Sequence, residues 1–258
     1  MSLLGRAARS AARRLGFEIR RLPRGPQPIT DPRDARFLAM WDRMTKISGF
    51  DLRHYTTYCA VRYLTEQRIG GDFVECGVYR GTQVLTMAHA LAEFGASDRD
   101  IYLYDTFAGM TQPTPEDFID ADRPDESYRA NLTKWEEGRQ PDGSNTYKFA
   151  SIEEVRANVF TAPYPRERFH FVVGDVLETV RRDSHKRIAF LRLDTDWYAS
   201  TKHEFECLYD SVVPGGVVVI DDYGRWQGSR QATDEFFAAR PMPMLIRTGP
   251  CERLVIKS

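Results

Sequence analysis

The chain has 258 residues, enough to bury a sizeable core in one large domain or two small ones without disulfide or metal staples. Hydrophobic residues at 42% and charged residues at 28% exclude a wholly disordered chain, a collagen and a coiled coil. With 36 Lys and Arg against 37 Asp and Glu, the formal charge of −1 argues against a dedicated nucleic-acid binder, which carries a basic excess.

The charge is uneven along the chain. The first 24 residues hold seven arginines against Glu18 alone, a net +6 that leaves −7 for the remainder. Within them Leu4, Ala8, Ala11, Leu15, Ile19 and Leu22 recur at amphipathic helical spacing, though the stripe is mostly alanine. No apolar run there is long enough for a signal peptide or a membrane span. Two readings stand: an arm making weak membrane-surface contact with anionic lipid or a partner, or, more plainly, a frayed basic terminus. Pro23, Pro26, Pro28 and Pro32 then break the chain, so residues 1–33 read as an arm and 34–258 as the main domain.

Helices are expected at 34–47 and 51–68, forming an N-terminal helical cap over 34–70 that Gly70 and Gly71 close. Strands follow at 72–77, 101–105, 169–173, 188–193 and 216–220. Helices are expected at about 82–94, 151–159, 176–182, 200–211 and 229–239, and a hairpin from residues 244–247 and 253–256 ends the chain. Near-continuous apolar strands separated by helices predict a parallel sheet buried on both faces, an α/β architecture. Residues 106–150 are too long for an ordinary loop and read as an insertion with a helix near 126–137. Leaving the carboxyl end of a strand, this segment is either a lid over the ligand crevice or a surface decoration.

Glu75-Cys76-Gly77-Val78-Tyr79-Arg80-Gly81 sits where the first strand turns into a helix, and its glycines would let a ligand approach the backbone. By itself the motif is weak, and a full dinucleotide fingerprint is absent. Asp105, at the end of the second strand, can take ribose hydroxyls, which suits either NAD or S-adenosylmethionine. The later strand ends separate the two. Asp194 and Asp196 close the fourth strand, Asp221 and Asp222 the fifth, and four carboxylates on one sheet edge need compensation. A divalent cation supplies it economically, and an all-oxygen donor set favours Mg²⁺ over zinc. The competing reading is that these acids are helix N-caps. The five histidines, His54, His89, His170, His185 and His203, are isolated in sequence. Four scattered cysteines without a CxxC pair read as reduced thiols in a cytoplasmic protein.

These motifs, together with Asp105-Thr106-Phe107-Ala108-Gly109, Ser151-Ile152-Glu153-Glu154-Val155, Leu193-Asp194-Thr195-Asp196-Trp197-Tyr198 and Ile220-Asp221-Asp222-Tyr223-Gly224, resemble the macrocin O-methyltransferase family over about residues 70–240. The resemblance implies a Rossmann-like class I methyltransferase fold, with a mostly parallel seven-stranded sheet and a terminal antiparallel hairpin. It also implies an enzyme that uses S-adenosylmethionine and Mg²⁺ to methylate a sugar hydroxyl, so the partner expected is a small saccharide or glycoside; a homo-oligomer is expected. By resemblance Asp194, Asp221 and Asp222 hold the metal and Asp196 is the general base. The cofactor set is Glu75, Gly77, Val78, Asp105, Thr106, Ser151, Asp175 and Asp194. Thr195 departs from the glycine the family often carries between the two acids of the fourth strand. Ser151 with Glu154 also reads as a capping box.

A catechol-type methyltransferase, or one acting on another small molecule, is the alternative. A sugar hydroxyl holds its proton harder than a catechol and benefits from an anionic base such as Asp196. No lysine adjoins the fourth-strand acids in sequence, Lys202 being the nearest that follows, and this favours the sugar.

Overall fold

The computed structural model describes residues 32–44 and 52–258, the side chains of 32–34 excepted. The basic stripe of residues 1–24, with Pro23, Pro26 and Pro28, lies outside the described residues. The chain divides between Ala39 and Met40 into two units. Of the first, only the opening of helix α1 (Pro32–Met44) is described.

The second unit is built on a seven-stranded sheet. Its elements run α2 (Leu52–Glu66), β1 (Asp72–Cys76), α3 (Thr82–Glu93), β2 (Ile101–Asp105), α4 (Pro124–Gly138), α5 (Ile152–Val159), β3 (Phe169–Val173), α6 (Val176–Thr179), β4 (Ile188–Leu193), α7 (Tyr198–Leu208), β5 (Val212–Ile220), α8 (Gln227–Ala238), β6 (Ile246–Arg247) and β7 (Arg253–Ile256). The strand order is β3-β2-β1-β4-β5-β7-β6. The first five strands are parallel, and β7 and β6 close the sheet antiparallel. The order reverses between β1 and β4, the switch point where ligands enter open α/β sheets. Every residue of β4 is buried, which is why the strand, Arg192 apart, reads as an apolar run.

The expected elements are present, with shifted ends. Helix α6 stops at Thr179 because Val180 turns extended (φ −85°, ψ 126°). Strand β5 begins four residues early, at Val212. Strand β6 shrinks to two residues, Ile246–Arg247. No helix among the described residues is long and apolar enough to cross a membrane.

The insertion over 106–150 is folded rather than draped. It carries α4 and closes on itself through Met110 N–H donating to Tyr147 O at 3.0 Å and Asn145 N–H donating to Ala108 O at 2.7 Å. Buried Asp117 anchors it to the sheet layer: its carboxylate accepts Tyr198 N–H at 2.7 Å and Thr114 N–H at 2.7 Å. Trp197, the N-cap of α7, makes no side-chain cap, so Asp117, 81 positions before Tyr198, supplies it. Trp197 Nε1–H in turn donates to Thr111 O at 3.0 Å.

Candidate active site

The carboxyl ends of β1, β4 and β5 stay in register one residue beyond each strand. Asp194 N–H donates to Cys76 O at 2.9 Å, and Asp221 N–H donates to Leu193 O at 3.0 Å. Gly77 turns left-handed here (φ 80°), and a Cβ at that position would lie 2.0 Å from Asp194 O. Glycine alone lets the two strands turn away side by side.

Two cavities open on this edge. The first, about 490 Å³, lies over β1 and β2 and is walled by Glu75, Gly77, Val78, Asp105, Thr106 and Asp175 among others. The second, about 360 Å³, lies over β5 and is walled by Asp221, Asp222, Arg225, Cys251 and Glu252 among others. Arg53, Lys148, Asp194 and Asp196 line both, so the two spaces meet at the end of β4.

In the first cavity Asp105 is held by backbone donors. Its Oδ2 accepts Val78 N–H at 2.7 Å and Tyr79 N–H at 2.9 Å, and its Oδ1 accepts Phe107 N–H at 2.8 Å. The carboxylate therefore shapes the β1–α3 turn, and Oδ1 keeps acceptor capacity for a ligand hydroxyl. Asp175 caps α6, accepting Leu177 N–H at 2.9 Å. Thr106 Oγ1–H donates to Gly109 O at 2.7 Å.

At the junction the acids are held by side-chain cations. Arg192, fully buried inside β4, donates to Glu75 at 3.1 Å, Glu252 at 2.9 Å and Asp194 at 2.9 Å, and also to Asp221. Arg53 of α2 donates to Asp221 Oδ2 at 2.9 Å. Burial alone would raise Asp221, but these two guanidiniums outweigh it and hold the carboxyl below its ordinary range. Burial and the adjacent Asp221 push Asp194 up to about 8, with Arg192 opposing only in part. Asp222 rises well above the ordinary range through burial and then the charges of Asp196, Asp194 and Asp221.

Asp196 is buried and left-handed (φ 67°), and its Oδ2 accepts Lys148 Nζ–H at 2.5 Å. Burial disfavours the Lys148 ammonium, yet Asp196, Asp222 and Asp194 outweigh that penalty and hold its pKa above the usual lysine value. This corrects the sequence expectation that no lysine stands beside the fourth-strand acids. The insertion brings one from 48 positions upstream.

Asp194, Asp221 and Asp222 each offer one oxygen, and the three atoms lie within 4.8 Å of one another. Three converging carboxylates, two of them driven toward protonation, fit a hard divalent cation such as Mg²⁺. Asp196 lies outside that triplet and remains beside it.

A comparison with protein families matches residues 51–248 to the macrocin-O-methyltransferase (TylF) family. The chain belongs to this family. It is 31% identical over 166 residues to 8-demethyl-8-(2,3-dimethoxy-alpha-L-rhamnosyl)-tetracenomycin-C 4'-O-methyltransferase of Streptomyces olivaceus, covering 64% of this chain and 58% of that protein. It is likewise 31% identical over 182 residues to demethyldecarbamoylnovobiocin O-methyltransferase of Streptomyces niveus, covering 69% of this chain and 64% of that protein. The matched region thus spans less than two-thirds of these relatives' length. Among solved structures the O-methyltransferase NovP is similar at 25% identity and a TM-score of 0.67, with 80% of each chain covered. CalS11, calicheamicin methyltransferase, is similar in fold, at 18% identity and a TM-score of 0.56 over 92% of this chain and 99% of that one.

Of the residues the family resemblance singled out, Glu75, Gly77, Val78, Asp105, Thr106, Asp175, Asp194 and Asp196 all face the first cavity, and Asp221 and Asp222 the second. Ser151 is not among the residues walling either cavity; its hydroxyl oxygen caps α5, accepting Glu154 N–H at 3.2 Å. Thr195 Oγ1–H donates to buried Glu204 at 2.9 Å. Trp197 packs edge-on against Trp226 at 5.0 Å and walls neither cavity.

Sequence reasoning missed Arg192, Arg53, Lys148 and Glu252. Arg192 left a readable signal: an arginine in the middle of an apolar parallel strand must be paired, and β1 carries Glu75 at the same register position. The other three come from distant segments and left none.

Proposed function

We propose that this chain transfers the methyl group of S-adenosylmethionine to a hydroxyl of a saccharide, within a glycosylated natural product or a cell-surface glycan. The observation that carries the reading is the meeting of two cavities at a buried carboxylate, Asp196, whose Oδ1 has no hydrogen-bond partner. A buried unsatisfied oxygen at such a junction calls for a donor, and an acceptor hydroxyl is one.

The division of labour follows from the two walls. The first cavity has the size of a small-molecule site and receives S-adenosylmethionine, with Gly77 and Val78 giving backbone access and Asp105 Oδ1, beside its bond from Phe107 N–H, keeping a lone pair for a ribose hydroxyl. The second cavity receives the saccharide. Asp194, Asp221 and Asp222 would hold Mg²⁺, whose chemistry there is Lewis-acid polarisation of the acceptor hydroxyl. Asp196 takes the hydroxyl proton on Oδ1, and the walls of both cavities hold the hydroxyl oxygen in line with the methyl carbon.

The saccharide draws its support from family membership and from a relative named for methylating a rhamnosyl group. Lys148 beside Asp196 removes the lack of a neighbouring lysine as support for a sugar over a catechol. A cytoplasmic enzyme is proposed alongside, supported by free thiols at Cys76, Cys207 and Cys251. A homo-oligomer and a weak membrane contact by the basic arm complete the reading; they rest on the sequence alone.

The test is a panel of glycosides, nucleotide sugars and simple catechols incubated with methyl-labelled S-adenosylmethionine and analysed by mass spectrometry. A labelled saccharide, lost on chelation and regained with Mg²⁺, is the expected result. Catechols methylated faster than every saccharide would overturn the acceptor assignment, and full turnover after exhaustive chelation would overturn the metal assignment.

A further inference from the structure

The two oxygens of Asp196 sit in unlike settings. Oδ2 is taken by Lys148 at 2.5 Å, while Oδ1 is buried and unpartnered, and the residue lines both cavities. Nothing in an isolated aspartate distinguishes its oxygens, so the pairing decides which one is left for the acceptor.

Both members of the pair carry backbone strain. Lys148 is left-handed at φ 51° and Asp196 at φ 67°, conformations that crowd the Cβ of an L residue against its own backbone. Strain of this kind persists only where the surroundings over-determine it. They do so on both sides. The stem of the insertion, paired between 108–110 and 145–147, fixes the approach of Lys148, and Asp196 N–H donates to Asp222 Oδ2 at 3.2 Å. The insertion is itself fastened to Trp197 and Tyr198, one and two residues beyond Asp196, by Thr111 and Asp117 respectively. Lysine and aspartate are therefore held on one scaffold.

We infer that Lys148 is a positioning residue of the transfer step: by occupying Oδ2 it fixes the rotation of the Asp196 carboxylate and leaves Oδ1 facing the acceptor hydroxyl. The inference rests on the proposed O-methyltransferase reading of this site. In the step the hydroxyl proton passes to Asp196 Oδ1. The oxygen uses its electron pair to bond the methyl carbon, and the carbon–sulfur pair stays on sulfur. Lys148 exchanges no proton.

The experiment uses the full chain with S-adenosylmethionine, Mg²⁺ and the best acceptor of the panel. Lys148→Met, which keeps length and loses the ammonium, should lower kcat by about 10- to 100-fold while KM for both substrates stays within about twofold. Lys148→Arg should recover part of the loss. Because the two residues act as a unit, the Lys148→Met and Asp196→Asn double variant should be no slower than Asp196→Asn alone. A parallel cycle on melting temperature, independent of turnover, should show shifts smaller than additive. An unchanged kcat, a loss confined to KM, or losses that multiply in the double variant would each overturn the inference and leave the methyltransferase reading standing. A wild-type chain that methylates nothing in the panel overturns the reading and the inference together.

Discussion

Two carboxylate sites on one edge of this sheet are stabilised by opposite means. At the end of β2, Asp105 is satisfied by three backbone N–H groups from turns that are close in the fold and short in sequence. At the ends of β4 and β5, three acids, Asp194, Asp196 and Asp221, are held by Arg192, Arg53 and Lys148, cations drawn from three separate segments. Backbone donors have fixed dipoles and satisfy one acid; side-chain cations are shared, so one arginine governs several acids at once. The second arrangement leaves a carboxylate oxygen over, and chemistry is assigned there for that reason.

The largest effect should come from removing the shared cation. Arg192→Met leaves Glu75, Asp194, Asp221 and Glu252 without their common donor in a buried site, which should cost about 3–5 kcal/mol in urea unfolding. A loss below about 1 kcal/mol would mean that the acids are neutralised by other means and would dissolve the contrast.

Asp105→Asn tests the other side. The amide keeps one acceptor oxygen but turns a donor toward backbone N–H groups, at a cost of about 1–3 kcal/mol. Because the same turn walls the first cavity, affinity for S-adenosylhomocysteine by calorimetry should fall about tenfold, a change of about 1.4 kcal/mol. Unchanged affinity and stability would show that the turn holds its shape without the carboxylate.

The contrast also explains what could be read from the chain. The parallel sheet was legible because buried strands are continuous apolar runs, and the Asp105 site because its donors lie in motifs adjacent to strand ends. The convergence of Asp194, Asp221 and Asp222 was legible because strand ends share an edge by topology. Lys148 and Arg53 were not, since a surface-like lysine in a polar insertion and an arginine on a helix carry no local mark of their long-range partner. Ser151 shows the reverse failure: its capping pattern was visible, and the cavity contact implied by family resemblance is not among the wall residues.

His89, on α3, uses neither device, and its Nδ1 is buried without a partner. Burial, with Arg43 adding repulsion, pushes its imidazole down to about 4. Between that value and the ordinary 6.5 the native state binds fewer protons than the unfolded chain, so this group's contribution to stability grows as pH rises through the window and is lost as pH falls. His89→Leu should flatten the melting-temperature profile between pH 4.5 and 6.5 by about 2–4 °C relative to wild type. Identical slopes would place the proton elsewhere.

The central claim is that chemistry occurs at the free oxygen of Asp196, where the two cavities meet. Single-turnover methyl transfer, wild type against Asp196→Asn, tests it most directly, with S-adenosylmethionine binding measured on the same samples. The account predicts a rate lower by about 10²- to 10⁴-fold in the variant with cofactor affinity unchanged. A variant that transfers the methyl group at the wild-type rate would contradict it.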